Sequence, residues 1–403
     1  MSRTRTALVV GGSLGGLCAA NMLRIAGWDV KVFERSAEEL EGRGAGIVTH
    51  PSLISALKKG GVRIDHTLGI QVQQRIILNK TGAREASKEF PQILTSWARL
   101  YQLLRDAFPD ECYYNGWRLT RCRNLPNGVA ADFDNGETVS ADILVAADGI
   151  RSTVRQLLQP EVSPKYAGYV AWRGLVEESV LSSNVLEDLF PYFSFGLPPK
   201  EQMVAYPVAG QNNATEPGKR RYNFVWYRPV DESTELLDML TDAEGKKWPE
   251  GIPPPLIRSE IIASARKAAE ETLAPQFLEV VSKAESLFFQ PIYDLESPQL
   301  AFGRIVLLGD CAFVARPHCG MGVTKAAEDA VSLVEALDAT QDTEKALRDY
   351  ERERINIGQK IVAHARALGA YMQSQLLSVK EREMAELYRT QKLIMEETAA
   401  PMK

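Results

Sequence analysis

The sequence predicts an α/β fold: a parallel-sheet domain of alternating strands and helices, interleaved with a mainly antiparallel sheet and finished by C-terminal helices. Three observations predict it. Residues 6–34 run strand, glycine-rich turn, helix, strand, the length of one βαβ unit. Two later apolar runs, "ILVAADG" at 143–149 and "RIVLLGD" at 304–310, each deliver an aspartate out of a buried-strand pattern. Residues 164–230 change to short aromatic and β-branched runs separated by Gly, Pro and Asn, which read as antiparallel strands.

A chain of 403 residues is long enough for two interleaved domains. With 25% charged and 45% hydrophobic residues it has ordinary globular composition. The net charge of −5 argues against nucleic acid or an anionic membrane as a partner. The basic start "MSRTRTALVVGG" has too short an apolar core for a signal peptide, and no apolar run is long enough to predict a transmembrane helix. Cys18, Cys112, Cys122, Cys311 and Cys319 lack metal-ligand spacing and read as reduced thiols of a cytoplasmic protein. His50, His66, His318 and His364 form no metal-binding pattern, so no metal is expected.

In chain order, residues 6–10 form a strand and a helix runs from about Leu14 to Ala26, stopped by Gly27. "DVKVFE" is the second strand and ends at Glu34. "EGRGAGIVT" is a glycine-rich loop. "PSLISALKKGG" is a short helix with Pro51 in its first turn and Gly60 at its end. "WARLYQLLRDAF" is an amphipathic helix. "VAADFDNGETVSADILVAADG" is a hairpin with an Asn-Gly turn that feeds a buried strand. Residues 231–286 are mostly helical, with an interruption at "PEGIPPP". A strand, a glycine loop and a helix from about Gly322 follow. From about Thr343 to Glu397 the chain is charged and helical without a clean heptad, which predicts helices packed on the body rather than a coiled coil.

The first turn is a near-fit to G-x-G-x-x-G. Gly11, Ser13 and Gly16 stand in register, with Gly12 and Gly15 in addition. The first glycine allows the tight turn and the third allows close helix–strand packing. Ser13 is small, and its hydroxyl can donate to a phosphate oxygen. The helix N-terminus presents free N–H groups to an anion. Glu34 ends the next strand, where an acid accepts from ribose hydroxyls and repels a 2′-phosphate. Alone, such a turn is also explained by packing. "ILVAADGIRSTVR" follows, with Asp148, Ser152 and Arg155, and then "GRIVLLGDCAFVARPHCGMGVTKAAEDA", with Asp310 before a glycine loop and a helix start. Either aspartate alone could be a strand-end cap. The three patterns in this order point to a dinucleotide cofactor.

In these motifs the chain resembles the single-component FAD-dependent aromatic hydroxylases (class A flavin monooxygenases), over about residues 6–370. "GGSLGGL", "GAGIVTHPSL", "YAGYVAWRG", "VAYPVAG", "NFVWYR" and "RPHCGMGVTKAAEDA" are most similar to the members that hydroxylate dihydroxypyridines. The resemblance implies a glutathione-reductase-type FAD-binding domain in two parts, 1–160, with inserted substrate-side segments, and 287–340. It implies a substrate domain over 161–286 and C-terminal helices over 341–403. FAD is the implied cofactor. Gly11, Ser13, Leu14, Gly15 and Gly16 would lie near its pyrophosphate and Glu34 on its adenosine ribose. Arg35, Arg43 and Gly44 would follow the adenine and phosphate path, Asp148 would belong to the middle motif, and Asp310 would hold the ribityl chain. Pro317, Gly320, Met321, Gly322 and Val323 would face the pyrimidine edge, where a helix N-terminus stabilises negative charge on the reduced ring. Three positions depart from the family pattern. Phe313 stands where members usually carry His, Thr324 where they often carry Asn, and Trp97 where an arginine is common, with Arg99 and Gln102 left nearby.

The implied reaction takes hydride from NADH or NADPH, a transient co-substrate without its own Rossmann domain. Oxygen then passes through a flavin C4a-hydroperoxide to an electron-rich ring. The implied partners are a small aromatic substrate, O2 and the nicotinamide; a homodimer is left open. A hydroxypyridine is the first expected substrate, with a phenolic carboxylate or a purine as the alternative. Candidate wall residues are Trp172, Arg173, Tyr192, Tyr206, Trp226 and Tyr227, although strand alternation also allows each aromatic as core; Tyr206, whose strand lines the active site in the family it resembles, is favoured and is also a catalytic candidate. An anionic benzoate would want a positive anchor, for which Arg173 is the evident candidate, whereas a hydroxypyridine would want polar donors and acceptors. His318 and His50 either accept a proton from a ring hydroxyl or are structural, and Cys319 either approaches the flavin or is a small loop residue. A flavin halogenase would carry W-x-W-x-I-P, and a flavin disulfide reductase a close cysteine pair; neither pattern is present. From a different class, a non-catalytic flavin-binding module would use the charged C-terminal helices as its interface.

Overall fold

The computed structural model describes residues 3–38, 40 and 46–402. One sheet has six strands, in the order Ala301–Phe302, Ile305–Leu307, Ile143–Ala146, Thr6–Val10, Asp29–Glu34 and Tyr113–Asn115. It is parallel except for the short pair at its first edge. The central strands are apolar throughout because both faces are covered. Helices Leu14–Ile25 and Gly322–Asp338 start beside this sheet and pack on each other.

The strand order sets the carboxyl ends of Thr6–Val10, Ile143–Ala146 and Ile305–Leu307 side by side. The Ala147 N–H donates to the Val10 carbonyl at 2.8 Å, and the Leu308 N–H to the Ala146 carbonyl at 2.9 Å. Gly11, Asp148 and Asp310 therefore emerge along one edge of one sheet, where open α/β sheets bind ligands.

The second sheet has nine strands. Its order is Phe313–Val314, Phe288–Glu296, Lys165–Glu177, Arg221–Pro229, Gln202–Val208, Tyr192–Gly196, Ile70–Leu78, Arg84–Ser96 and Gly46–Thr49. Tyr192–Gly196 runs parallel to Ile70–Leu78, so the early segment closes this sheet. Phe288–Glu296 also belongs to it, because Trp172 pairs with Phe289 across the strands. The sheet thus extends past the expected boundary at 286. Helices Ser183–Leu189, Ser259–Thr272 and Pro275–Lys283 cover one face. The other turns toward the parallel sheet. A small meander, Leu119–Leu125, Gly128–Phe133 and Thr138–Ala141, contains the expected Asn-Gly turn, with Gly136 at φ +87°.

The charged tail forms helices Thr343–Gly369, Val379–Tyr388 and Gln391–Glu397, packed on the body. Among the described residues no helix is long and apolar enough to cross a membrane, and no cluster of three metal-ligating side chains occurs.

Candidate flavin and substrate site

A cavity of about 940 Å³ lies between the two sheets. Residues after two of the three strand ends line it, Ile150, Arg151 and Arg155 after the second and Asp310 after the third, and the first turn lies beside them at the same sheet edge. In the first, Gly11 has φ +105°, a region that L side chains rarely adopt. A Cβ on Gly16 would overlap the Gly11 carbonyl oxygen, so the third glycine is what lets the helix start against the strand. Ser13 is the N-cap of helix Leu14–Ile25, yet its hydroxyl makes no capping bond, and the first turn holds no acid. Both features suit an anion at that terminus. Leu14 is packed into the core. Gly15 lies where a Cβ would touch the Ala326 methyl at 3.3 Å.

Glu34 is buried, and its carboxylate ties the turn itself: Oε2 accepts from the Gly12 N–H at 2.8 Å and Oε1 from the Ser36 N–H at 2.9 Å. Any ribose contact would share those oxygens. Arg35 is exposed just beyond the strand. Arg43 and Gly44 lie outside the described residues.

The second and third turns are joined by Arg155, which is fully buried. One Nη donates to the Cys311 carbonyl at 3.0 Å and the other to the Ile150 carbonyl at 2.5 Å. Asp148 Oδ2 accepts from the Val154 N–H at 3.2 Å, while its Oδ1 has no partner. Asp310 projects into the cavity, and among the described residues its carboxylate meets no donor. Asp329 aims the turn: it accepts from the Gly309 N–H at 3.0 Å and from Arg354 Nε at 2.7 Å.

The late loop forms the far wall, with Pro317, His318, Gly320, Gly322 and Val323 lining the cavity. Gly320 sits at φ +70°, and a Cβ on Gly322 would meet nothing within 4 Å, so the start of helix Gly322–Asp338 is open to a ligand. The Thr324 hydroxyl is buried there without a partner. Met321 points away, into a separate pocket. His318 donates from Nε2 to the Ala365 carbonyl at 2.9 Å, which leaves Nδ1 as an unused acceptor. Burial drives its pKa down to about 3, so the ring is neutral.

The folded His318 pKa lies below its ordinary 6.5, so only the unfolded chain takes up that proton as pH falls. The contribution to stability is complete above pH 6.5 and is lost progressively toward pH 3. His318→Gln is therefore expected to lose less stability than the parent between pH 7 and pH 5 in urea unfolding. The difference reaches at most about 1.4 kcal/mol per pH unit.

His50 does not line the cavity. It lies behind the loop, hydrogen-bonded through Nε2 to the Gly320 carbonyl at 3.1 Å, and burial lowers its pKa. Cys319 packs against helix Thr343–Gly369, with its thiol pushed up to about 11 by burial. Both hold the loop.

Strand register sorts the expected wall residues. Trp172 pairs with Trp226, and both point to the helix-covered face. Tyr192 also packs there, under the Arg84 guanidinium. These three are corrected from cavity to core. One residue along, Arg173 pairs with Val225 and Ala171 with Tyr227, which sets Arg173 and Tyr227 on the cavity face. Tyr206 joins them, stacked on Phe193 with centroids 5.0 Å apart. Burial raises both phenol pKa values, with Arg173 opposing, so neither phenol is a base at neutral pH. Among the described residues Arg173 Nε is buried without a partner, as is Asn223 Nδ2 on the same face. The other cavity arginines are engaged: Arg151 pairs with Glu250, and Arg155 with backbone carbonyls.

The family described as FAD binding domain-like matches residues 166–294. The chain is 32% identical to a 2,6-dihydroxypyridine 3-monooxygenase of Paenarthrobacter nicotinovorans, covering 91% of each chain. The chain belongs to the FAD-dependent aromatic monooxygenases. A second monooxygenase relative, a 3-amino-4-hydroxybenzoate 2-monooxygenase of Streptomyces cremeus, is 31% identical over 89% of this chain and 86% of its own. The solved 2,6-dihydroxypyridine-3-hydroxylase from Arthrobacter nicotinovorans superposes with a TM-score of 0.86 at 31% identity, covering 93% and 94% of the two chains.

As a flavin monooxygenase the chain binds FAD, and its turns fit the cofactor: a free serine hydroxyl at one helix start, an unpartnered Asp310 carboxylate, and open space before Gly322. Its departures from the family pattern have local reasons. The Phe313 ring fills the space left by Gly358 on the long helix, where a Cβ would strike it. Trp97 lines the cavity and stacks on Tyr101 at 5.0 Å. Arg99 and Gln102, the possible substitutes for the missing arginine, bond Thr67 and Asn213 and do not line the cavity. Sequence reasoning missed Arg75, Asn223 and Asp329. Asp329 stood within a quoted motif without a role.

Proposed function

We propose that this monooxygenase hydroxylates the anion of a small hydroxylated N-heteroaromatic, with hydroxypyridines first, using NADH or NADPH and O2. The observation that carries the reading is Arg173: a cavity guanidinium with no carboxylate partner among the described residues, on the face it shares with Tyr206 and Tyr227 and close enough to act on both phenols. A flat anionic ring satisfies it, because stacking area and charge are supplied together. The dihydroxypyridine relative adds support.

In this proposal Gly11, Ser13, Gly15, Gly16 and Asp310 hold FAD, with Gly320, Gly322 and Val323 along its ring edge. Bound FAD, reduced by the nicotinamide, supplies the activated oxygen. Arg173 binds and holds the ring oxyanion, which keeps the adjacent carbon electron-rich. The His318 ring stays neutral and packs edge-on against Tyr227, with centroids 5.4 Å apart, which fixes that phenol in the wall. Substrates of this class carry acidic hydroxyls, so their anion forms without a strong protein base. The two apolar-edged phenols and Phe193 exclude water from the ring.

A screen of substrate-stimulated NADH and NADPH oxidation over hydroxypyridines, hydroxybenzoates and purines tests the reading. Hydroxypyridines are expected to stimulate most. Stimulation by a phenolic carboxylate alone would overturn the substrate class, since Arg173 also fits a carboxylate. Arg173→Met is expected to raise KM for the anion by about 10- to 100-fold, the worth of a charge-assisted hydrogen bond, with FAD content unchanged. Steady-state kinetics with flavin absorbance checks both.

A further inference from the structure

We infer that Thr398–Ala399, from the end of the chain, is a built wall of the substrate cavity and that Arg75 is the positioning residue that holds it there. The role assigned rests on the reading of this cavity as the substrate site.

Arg75, on strand Ile70–Leu78, is 0% exposed, and among the described residues no carboxylate pairs with it. Its donors go to the chain terminus instead. One Nη reaches the Met395 carbonyl at 2.8 Å and the Thr398 carbonyl at 2.7 Å, and the other reaches the Ala399 carbonyl at 3.0 Å. These carbonyls close the C-terminal end of helix Gln391–Glu397, the negative end of its dipole, which offsets a buried cation. Gln92 completes the cradle, accepting from Arg75 Nε at 2.9 Å and donating to the Ala399 carbonyl at 2.9 Å. The guanidinium also lies over the Phe90 ring at 3.7 Å. Lys88, opposite Arg75 on the next strand, pairs with Glu396 at 2.8 Å.

The segment held this way has cavity contacts. Thr398 and Ala399 line the cavity beside His318. The Ala399 N–H donates to the His318 carbonyl at 2.8 Å, with Ala399 at φ +50°, a conformation unusual for a residue with a Cβ. A Cβ on Gly320 would come within 2.8 Å of Ala399 Cα, so the glycine loop and the terminus are fitted to each other. A merely stabilising tail needs neither the cavity lining nor this fit. The wall keeps water from the reacting ring and fixes the loop that carries His318.

Deletion of residues 398–403 and Arg75→Met, each as flavin-loaded enzyme, test this. When oxygen transfer fails, one NAD(P)H, one proton and one O2 give NAD(P)+ and H2O2, so peroxide per product reports the wall. Both variants are expected to keep parental FAD content. Peroxide per product should rise at least about fivefold and KM about tenfold, because binding and water exclusion are lost together. Iodoacetamide labelling of Cys319, mapped by mass spectrometry, should quicken about tenfold as the loop loosens. If Arg75→Met does not fold, the deletion variant decides. Parental coupling and KM in a folded, flavin-loaded deletion variant overturn the proposal. If the parent hydroxylates none of the compounds tested, the substrate reading has failed and the labelling alone decides: an unchanged Cys319 rate then overturns the wall.

Discussion

Gly16→Ala is expected to give protein without flavin. The added Cβ would overlap the Gly11 carbonyl oxygen, a backbone atom that cannot rotate away. Helix Leu14–Ile25 would have to shift off the strand, opening the turn proposed to hold FAD. The expected destabilisation is about 3 kcal/mol or more, at the upper end of overpacking effects. Gly136→Ala is the control. Its φ of +87° strains a side chain, yet nothing lies within 4 Å of the new Cβ. That change should cost about 1–2 kcal/mol and leave FAD in place. Flavin absorbance per protein after purification, with thermal unfolding, separates the two.

The second large effect is expected from Asp329→Ala. Asp329 is 3% exposed and faces two buried cations, Arg354 at 2.7 Å and Lys325 at 3.4 Å. Removing the carboxylate takes the partner from Lys325 and leaves Arg354 only the longer Glu328 contact at 3.7 Å, and breaking a buried pair typically costs about 3–5 kcal/mol. It also frees the Gly309 N–H, so the turn that presents Asp310 loses its anchor. Urea unfolding should show the lost stability, and FAD should dissociate at lower denaturant than the global transition. Loss of stability with FAD affinity unchanged would separate Asp329 from the cofactor.

The parallel-sheet half was legible because its signals are local. A glycine turn, a buried strand and a strand-end aspartate each announce themselves within about ten residues, the scale of one strand–turn–helix unit. The substrate wall was only half legible. Alternation states that Trp172 and Arg173 face opposite ways, but which face is the cavity depends on helices Ser259–Thr272 and Pro275–Lys283, which cover one side. Without them both tryptophans and Tyr192 stayed eligible, and only the resemblance favoured Tyr206. Arg75 was hidden for a related reason. A register irregularity between Val72 and Gln74 shifts the alternation, so a cation in "QVQQRIIL" turns inward where simple counting turns it out. Thr398 and Ala399 meet it from more than 300 positions away in sequence, and no local pattern marks such a contact. The histidines were legible as candidates but not as roles. Only the carbonyl partners at Ala365 and Gly320 distinguish a cavity-lining ring from one that braces the loop from behind.

Turnover of 2,6-dihydroxypyridine under isotopically labelled O2, with the product read by mass spectrometry, tests the central claim most directly. The account predicts one labelled oxygen per product molecule, placed ortho to an existing ring hydroxyl, at one nicotinamide consumed per product. It further predicts that Arg173→Met shifts the concentration dependence of that labelling without abolishing it. Oxygen entering from water, or nicotinamide consumed with no labelled product from any hydroxylated ring of the panel, would contradict it.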